Sequence, residues 1–230
     1  MTHWTQRDMI GFDVESTSPH PLTARMVQAA LLRITPHGEE ADALYGLIDP
    51  GCEVPAEAAK VHGITTAKAK QGTPIRQAIG KMVLKFDMAE KFGIPVVIFN
   101  AGYDWPLFRA ECQRTGIEVV PQPFILDPLV IDRKMDKYRR GKRTLETMAA
   151  HYGIELSDAH DARADVRATV GVMRALIHKF PALSEVGLQE MSTLQRAWYG
   201  EWRDGINQHW ASKGETKRVE GEWLWPKEGT

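Results

Sequence analysis

The sequence has only two cysteines, Cys52 and Cys112, which lie far apart and form no Cys-x-x-Cys pair. Disulfide frameworks and structural zinc sites need paired or clustered cysteines, so neither is expected. No apolar run approaches the ~20 residues that span a bilayer. The first residues also lack the basic start and apolar segment of a secretory signal. We therefore expect no membrane partner and a reducing cytoplasm as the compartment.

The chain also has almost no net charge, with 29 basic and 30 acidic residues. Affinity for a polyanion must therefore come from a local concentration of cations. Residues 133–143 contain seven basic side chains opposed only by Asp136. Such a stretch can hold phosphates, although a solvated loop and helix face is the alternative. The nucleic-acid-binding candidates here are Arg139, Arg140, Lys142 and Arg143.

Glycine-rich phosphate loops are missing too. The sequence has no Gly-x-Gly-x-x-Gly, and residues 141–144 keep only the end of a Gly-x-x-x-x-Gly-Lys-[Ser/Thr] loop. Dinucleotide binding and nucleoside triphosphatase activity are therefore set aside. A chain of 230 residues is long enough for one well-cored domain and an appendage.

What the sequence does contain is an ordered series of strands and helices. Three strands are predicted first, the third returning antiparallel to the second after the turn at Pro36-His37-Gly38. This order, followed by alternating helices and strands, predicts an α/β domain with a mixed central sheet flanked by helices. The predicted strands are residues 9–14, 26–34, 43–48, 95–99 and 124–126, and the predicted helices are 55–63, 79–92, 105–115, 144–152 and 162–179.

The segment after residue 182 is rich in tryptophan: five of the seven tryptophans of the chain follow residue 190. We therefore predict a domain of residues 1–182 and a Trp-rich, helical C-terminal extension of residues 183–230. Apolar residues spaced by three and four form one stripe on a helix, expected to pack on the domain. The alternative is a surface for a partner or for base stacking. The stripe comprises Met191, Leu194, Trp198, Trp202, Ile206 and Trp210, and the segment around Trp223 and Trp225 is expected to dock in a groove.

Two short sequence motifs, here called strings, place carboxylates at the ends of predicted strands. Asp13 and Glu15 are two residues apart on one strand, so their side chains share a face. Their mutual repulsion would be relieved by a divalent cation with a preference for oxygen ligands. Asp104 follows the apolar strand 95–99, and strand carboxyl ends are where ligands gather in α/β sheets. The alternative role of Asp104 is to cap the helix predicted from residue 105.

A third string, His160-Asp161-Ala162-Arg163-Ala164-Asp165, opens the last predicted helix of the domain. Neutral histidine is a suitable base near pH 7, so His160 is a candidate for deprotonating water. Asp161 is interpreted as a helix cap. Each of these residues is ordinary alone, but together with the two other strings they indicate metal-assisted phosphodiester hydrolysis.

The three strings together resemble the motifs of the DEDD superfamily of 3′–5′ exonucleases, in its histidine (DnaQ-like) branch. The family's Asp-x-Glu-Thr-Thr-Gly is matched by residues 13–18, with Ser18 in place of Gly. Its Asn-Ala-x-Phe-Asp is matched by residues 100–104, with Tyr103 in place of Phe, and its His-x-Ala-x-x-Asp is matched in full by residues 160–165. The resemblance covers about residues 8–180.

This resemblance implies an RNase H-like fold and a site for two metal ions, Mg²⁺ or Mn²⁺. It implies that Asp13, Glu15, Asp104 and Asp165 are the metal ligands and that His160 is the general base. Thr17, His62 and Tyr103 are expected to position the terminal nucleotide. Asn100 is also a nucleic-acid-binding candidate, because its side chain can hydrogen-bond an adjacent sugar or turn amide.

The function predicted from the sequence is that of a metal-dependent 3′–5′ exonuclease. The expected partner is the 3′ end of a single strand, with DNA favoured over RNA. One alternative is an exoribonuclease with the same site, because nothing in the sequence reads a 2′-hydroxyl. The other is a non-catalytic module that binds strand ends or a polymerase. A polymerase or another protein is also a candidate partner for the C-terminal extension.

Overall fold

The computed structural model describes residues 3–119, 121–156 and 161–225. The sheet starts as an antiparallel meander of three long strands, β1 (Met9–Ser16), β2 (Met26–Ile34) and β3 (Glu40–Asp49). The bounds of β2 match the prediction, because an uninterrupted apolar run is a strong signal for a buried strand.

Three short strands complete the sheet, each parallel to its neighbour. β4 (Thr73–Pro74) pairs with β3, while β5 (Val96–Val97) pairs with β1 and β6 (Ile125–Leu126) pairs with β5. The order across the sheet is β4-β3-β2-β1-β5-β6. The predicted mixed sheet is thus confirmed, with β4 as a strand that the sequence did not indicate.

Helices cover both faces of the sheet. No helix in the described ranges is both long and apolar enough to cross a membrane. The helices are α1 (Ala56–His62), α2 (Thr66–Ala69), α3 (Ile75–Phe92), α4 (Ala101–Thr115), α5 (Pro128–Met135), α6 (Leu145–Tyr152), α7 (Ala162–Lys179) and α8 (Leu188–Ser212).

Alternate residues of β1 belong to two different hydrophobic cores. Phe12 lies in the core formed with α3 and α4, where its ring makes edge contacts with Phe86 and Phe108. Met9 lies in the other core, formed with α6 and α7. Since strand side chains alternate between faces, Asp13 and Glu15 are directed to the same face as Met9. That is the α7 face.

The C-terminal extension packs against the domain. Met191 and Gln195 of α8 are fully buried, and Trp223 and Leu224 are also buried. Gln195 accepts a hydrogen bond from the N–H of Asp127 at 2.7 Å and donates one to the Ile125 carbonyl at 2.9 Å. The polar groups at the edge strand β6 are therefore covered by a side chain of α8.

The sequence misplaced the start of one helix and missed another. α4 begins at Ala101 and not at residue 105, so Asp104 lies inside the helix and does not cap it. The N–H groups of Asn100 and Ala101 donate to the carboxylate of Asp127, a cap that local sequence does not reveal. α5 was not predicted, although Asp127 followed by Pro128 is a typical helix start.

Candidate active site

The carboxylates of β1 and α7 converge at one place. Ligand oxygens of Asp13, Glu15 and Asp165 all lie within 4.8 Å of one another. Asp165 belongs to the first turn of α7, while the other two lie on β1. Hard oxygen ligands at this spacing suit a divalent cation such as Mg²⁺ or Mn²⁺. The described structure thus brings together three of the four predicted metal ligands.

A glycine allows α7 to approach β1 closely enough for this cluster. A Cβ atom at Gly11 would lie 2.4 Å from a methyl group of Val166 and 2.9 Å from one of Val170. Real Cβ atoms do not make such contacts, so a side chain at residue 11 would force Val166 and Val170, or α7 as a whole, to shift. The close packing of strand and helix sets how near Asp165 lies to the carboxylates of β1.

Asp104, the fourth predicted ligand, lies buried beside the cluster. Its Oδ1 accepts a hydrogen bond from the N–H of Val14 at 3.1 Å, which links the first turn of α4 to β1. Its charge raises the pKa of Asp13, so the two carboxylates act on each other electrostatically. Asp104 therefore belongs to the same acidic site from the side of α4.

The acidic residues shift one another's protonation. Burial raises the pKa of Asp13 well above its ordinary value, and the nearby charges of Asp104 and Asp165 add to this. Burial also raises the pKa of Glu15 to about 7, with further contributions from Asp165 and Asp161. A site in which carboxylates resist ionisation is one that a cation would stabilise, because it compensates the concentrated negative charge.

The start of α7 is held by side chains of β2 and β3. Asp161 caps the helix by accepting the N–H groups of Arg163 and Ala164, as the sequence predicted. The hydroxyl of Tyr45 donates to the other Asp161 oxygen at 2.5 Å. Gln28, the β2 partner of Glu15, accepts from the N–H of Ala162 at 3.3 Å. These contacts fix the turn that carries Asp165.

Comparison with known families agrees with this geometry. The profile of the RNase_T exonuclease family matches residues 10–173, which contain all four acidic motif residues and His160. The chain belongs to this exonuclease family. Its members are DnaQ-like nucleases of the DEDD type, so the resemblance found in the sequence is confirmed, and the domain is of the nuclease, or hydrolase, class.

Curated relatives carry the exonuclease domain within longer chains. The PolC-type DNA polymerase III of Caldanaerobacter subterraneus subsp. tengcongensis is 21% identical over 187 residues, which is 81% of this chain and 12% of that protein. A putative bifunctional exonuclease/endonuclease protein of Mycobacterium tuberculosis is 30% identical over 135 residues, which is 58% of this chain and 20% of that protein. The chain thus spans a fifth or less of the length of these two relatives.

A phage relative is nearer in size. The uncharacterized exonuclease CP81 of Escherichia phage 186 is 28% identical over 184 residues, covering 75% of this chain and 90% of that protein. Among solved structures, the zinc-bound complex of E. coli ExoI with single-stranded DNA matches with a TM-score of 0.67 and 20% identity. The match covers 78% of this chain and 42% of that one. The expected RNase H-like fold is therefore confirmed.

The residues predicted to position a nucleotide lie around the loop that follows β1 of the exonuclease domain. The hydroxyl of Tyr103 hydrogen-bonds to Ser16 and to the carbonyl of Ser18. The Oγ1 of Thr17 accepts from the N–H of Arg25 at 2.9 Å. His62 contacts the carbonyl of Ser16 at 3.2 Å through Nε2.

His62 also accepts a hydrogen bond at Nδ1 from the N–H of Ile64 at 3.1 Å. A ring nitrogen that accepts leaves the proton on the other nitrogen, so Nε2–H donates to Ser16. His62 therefore joins the turn after α1 to the loop after β1. Tyr103, Thr17 and His62 all shape the same loop, which follows directly on Glu15.

Asn100 has a left-handed backbone conformation, which is uncommon for residues other than glycine, although asparagine adopts it more readily than most. Its φ is 58° and its ψ is 50°, and it is the only non-glycine residue with positive φ in the described ranges. Non-glycine residues in this region occur often at functional sites. The exposed Asn100 lies immediately before α4, which carries Asp104.

Two of the predicted nucleic-acid-binding residues have other partners. Arg139 and Arg143 form ion pairs with the buried carboxylate of Asp132, at 3.0 and 2.6 Å. Arg140 and Lys142 are exposed. The four candidates thus divide into an inward-facing and an outward-facing pair.

His160, the predicted base, lies outside the described residues.

Sequence reasoning did not identify four residues that shape the site. Gly11, Gln28 and Tyr45 act through contacts between distant elements, so no local signal marks them. Asp127 carries such a signal, because an Asp-Pro pair is typical of a helix start. Its second role, as the cap of α4, depends on the parallel pairing of β5 with β6.

Proposed function

We propose that the protein is a 3′–5′ exonuclease that removes nucleotides from the 3′ end of single-stranded DNA, using two divalent cations, Mg²⁺ or Mn²⁺. The convergence of Asp13, Glu15 and Asp165 within 4.8 Å carries the proposal. Asp104, which is hydrogen-bonded to the N–H of Val14 and raises the pKa of Asp13, supports the proposal as the fourth acidic residue. In this proposal His160 is the general base that takes the proton from water.

The donor set fits the proposed cations. Carboxylate oxygens are the ligands that Mg²⁺ and Mn²⁺ prefer. The raised pKa values of Asp13 and Glu15 result first from burial and then from neighbouring negative charge, which a cation would compensate. Bound cations would supply positive charge for the attacking and leaving oxygens of the phosphodiester. The protein fixes the donors: β1 holds two, α7 is pressed onto β1 at Gly11, and Val14 orients Asp104.

The terminal nucleotide would lie against the loop that follows β1. The hydroxyl of Tyr103 is engaged with Ser16 and Ser18, which fixes the orientation of its ring. We propose that this ring packs against the last base or sugar. Thr17, His62 and Asn100 would set the shape of the same pocket.

The preference for DNA is supported by the similar proteins. One structural relative is E. coli ExoI in complex with single-stranded DNA, and one curated relative is a DNA polymerase III. An exoribonuclease would use the same acidic site. Parallel digestion of DNA and RNA strands of one sequence therefore distinguishes the two substrates.

The deciding experiment follows hydrolysis of a single strand that is labelled at its 5′ end. With Mg²⁺, the parent is expected to shorten the strand stepwise from the 3′ end, and EDTA is expected to stop it. Asp13→Asn and Asp165→Asn are each expected to lower the rate at least about 10²-fold, as loss of an electrostatic catalytic group does. Asp87→Asn makes the same chemical change at a partly exposed aspartate of α3 and serves as the control.

Other results would exclude the proposal. Shortening from the 5′ end would refute the polarity, and full activity of Asp13→Asn would refute the role of the acidic site. For His160→Ala, a large rate loss with unchanged cation affinity is expected. An unaltered pH profile of kcat in that variant would remove His160 from the mechanism.

We also propose that residues 1–182 form the exonuclease domain and residues 183–230 an extension that covers it. The buried positions of Met191, Gln195 and Trp223 support this division. A chain shortened to residues 1–182 would expose the core surface that α8 covers. Reduced solubility of that chain is the expected result, and a shortened chain that is as soluble as the parent would contradict it.

A further inference from the structure

The loop between α5 and α6, residues 136–143, here called the basic loop, is anchored from inside. Asp132 on α5 is fully buried. Its carboxylate pairs with Arg139 and Arg143 and accepts the hydroxyl of Tyr152 at 2.6 Å. The two arginines are largely buried as well, with side chains 8% and 17% exposed. They are therefore part of the framework and do not face a ligand.

The same arginines hold the loop backbone. Arg143 donates to the carbonyl of Asp136 at 2.6 Å, and Arg139 donates to the carbonyl of Lys142 at 3.3 Å. The hydroxyl of Thr147 donates to the Lys142 carbonyl at 3.0 Å. Both ends of the basic loop are thus fixed to the domain, and the loop conformation is set before any ligand arrives.

The outer face of the basic loop has the opposite character. Tyr138 is 89% exposed. The ammonium group of Lys137 lies 5.8 Å from its ring centroid. Lys137, Arg140 and Lys142 are exposed, and none of them makes an ion pair with another described residue. An exposed aromatic ring among unpaired cations is the arrangement that binds single-stranded nucleic acid, by base stacking and phosphate contacts.

α7 links the basic loop to the acidic site. Asp136 of the loop forms an ion pair with Lys179, at the C-terminal end of α7, with 2.8 Å between Nζ and Oδ2. Asp165 is in the first turn of the same helix. The intervening part of α7 is about 21 Å long at the usual helical rise. That length corresponds to about six stacked nucleotides of one strand.

We propose that the outer face of the basic loop, formed by Lys137, Tyr138, Arg140 and Lys142, binds the part of a single-stranded substrate that lies several nucleotides from the scissile end. The proposal rests on the proposed exonuclease function. It predicts a dependence on substrate length. Long strands contact both the acidic site and the loop, whereas very short strands contact the acidic site alone.

The test compares 5′-fluorescein-labelled oligothymidylates of three and twenty nucleotides. The measured quantity is the ratio of kcat/KM for the long strand to kcat/KM for the short one. In Tyr138→Ala and in Arg140→Ala/Lys142→Ala the ratio is expected to fall on the order of tenfold, as expected for loss of one stacking contact or two phosphate contacts. Tyr138→Phe keeps the ring and is expected to keep the ratio.

The matched control is Lys70→Ala/Lys81→Ala, which also removes two positive charges. Both lysines are exposed; Lys70 is the C-cap residue of α2 and Lys81 lies in α3. The helix α3 packs on the other face of the sheet from α7. If the loop variants and this control change the ratio equally, or none changes it, the inference is wrong. Unchanged thermal unfolding of each variant shows that the fold is kept.

Equilibrium binding separates this inference from the proposed function. Fluorescence anisotropy with the twenty-nucleotide strand in EDTA measures binding without hydrolysis. For Arg140→Ala/Lys142→Ala, the slope of log K against log salt is expected to be shallower by about 1.4. An identical slope in parent and variant would refute the loop contact. A parent that hydrolyses neither strand with Mg²⁺ would refute the proposed function, while the anisotropy result would still decide the contact.

Discussion

The indole nitrogen of Trp223 donates a hydrogen bond to the carboxylate of Asp127 at 3.2 Å. The same carboxylate accepts the N–H groups of Asn100 and Ala101 at the start of α4. Because α4 carries Asp104, the C-terminal extension is connected to the acidic site through a single buried carboxylate. The extension therefore supports the helix that holds one of the proposed metal ligands.

Replacing Trp223 tests this connection. Trp223→Phe keeps most of the apolar ring but removes the hydrogen bond to Asp127. The free energy of unfolding is expected to fall by about 2 kcal/mol, the usual contribution of a hydrogen bond to a charged group. Urea denaturation measures it. Trp225→Phe, which changes a ring that is 41% exposed, is expected to stay within about 0.5 kcal/mol. Equal losses in both variants would contradict the connection.

The sequence predicted those parts of the fold whose signals are local. The bounds of α7 were predicted correctly, because its apolar residues recur at helical spacing and Pro181 follows it. The acidic residues were found because three short strings occur in a known order. The start of α4 was missed because its cap, Asp127, comes from the end of another strand.

Long-range contacts account for the rest. No local pattern shows that Asp132 is buried, and only its burial reveals that Arg139 and Arg143 face inward. Likewise, Gly11 is an ordinary glycine of a strand until α7 is placed beside it. A sequence shows which residue types are near in the chain, whereas these roles depend on which elements pack together.

Gly11→Ala is expected to disturb the acidic site without changing any acidic residue. The new methyl group would contact Val166 and Val170 and shift α7 away from β1. Overpacking of this kind lowers stability by about 1–3 kcal/mol. Displacement of Asp165 by about 1 Å is expected to lower kcat/KM roughly 10²-fold. Steady-state kinetics and urea denaturation measure the two effects.

A second substitution makes this test specific. Val166→Ala removes the closer of the two methyl contacts and leaves that with Val170, so Gly11→Ala/Val166→Ala is expected to recover part of the activity lost in Gly11→Ala, measured relative to Val166→Ala alone. Gly205→Ala, in α8, meets no atom within 4 Å and is the control. Absence of recovery in the double variant would show that the contact with α7 does not determine the site.

The protonation of Glu15 predicts how stability depends on pH when no cation is bound. Burial raises the pKa of Glu15 in the folded state to about 7 from 4.5. Because the unfolded chain loses this proton first, Glu15 lowers stability progressively as the pH rises from 4.5 to about 7. Above that range the loss is complete.

Urea denaturation in EDTA over this pH range measures the effect. In Glu15→Gln, the free energy of unfolding is expected to fall less steeply with rising pH than in the parent. Added Mg²⁺ is expected to stabilise the parent most at the upper end of this pH range. Glu57→Gln changes an exposed residue of α1 and serves as the control. A parent whose pH dependence matches that of Glu15→Gln would contradict the assigned pKa.

Asp132 has the opposite dependence on pH. Burial alone would raise the pKa of its carboxyl, but hydrogen bonds from Tyr152, Arg139 and Arg143 bring it below its ordinary value. A carboxylate with a lowered pKa stabilises the fold above the pKa of the unfolded chain, near 3.9. This stability is lost as the pH falls through the lower pKa of the folded state.

Asp132→Asn is therefore expected to lower the free energy of unfolding by about 3 kcal/mol at pH 7, because two largely buried guanidinium groups lose their counterion. Parent and variant should converge in acid, once Asp132 of the parent is protonated. Tyr152→Phe removes one hydrogen bond and keeps both ion pairs, so its expected loss is about 1.5 kcal/mol.

Since Arg139 and Arg143 also fix the basic loop, Asp132→Asn should weaken binding of the twenty-nucleotide strand, although Asp132 itself is buried. Unchanged binding, with the stability loss present, would show that the loop does not need its anchor to hold a strand.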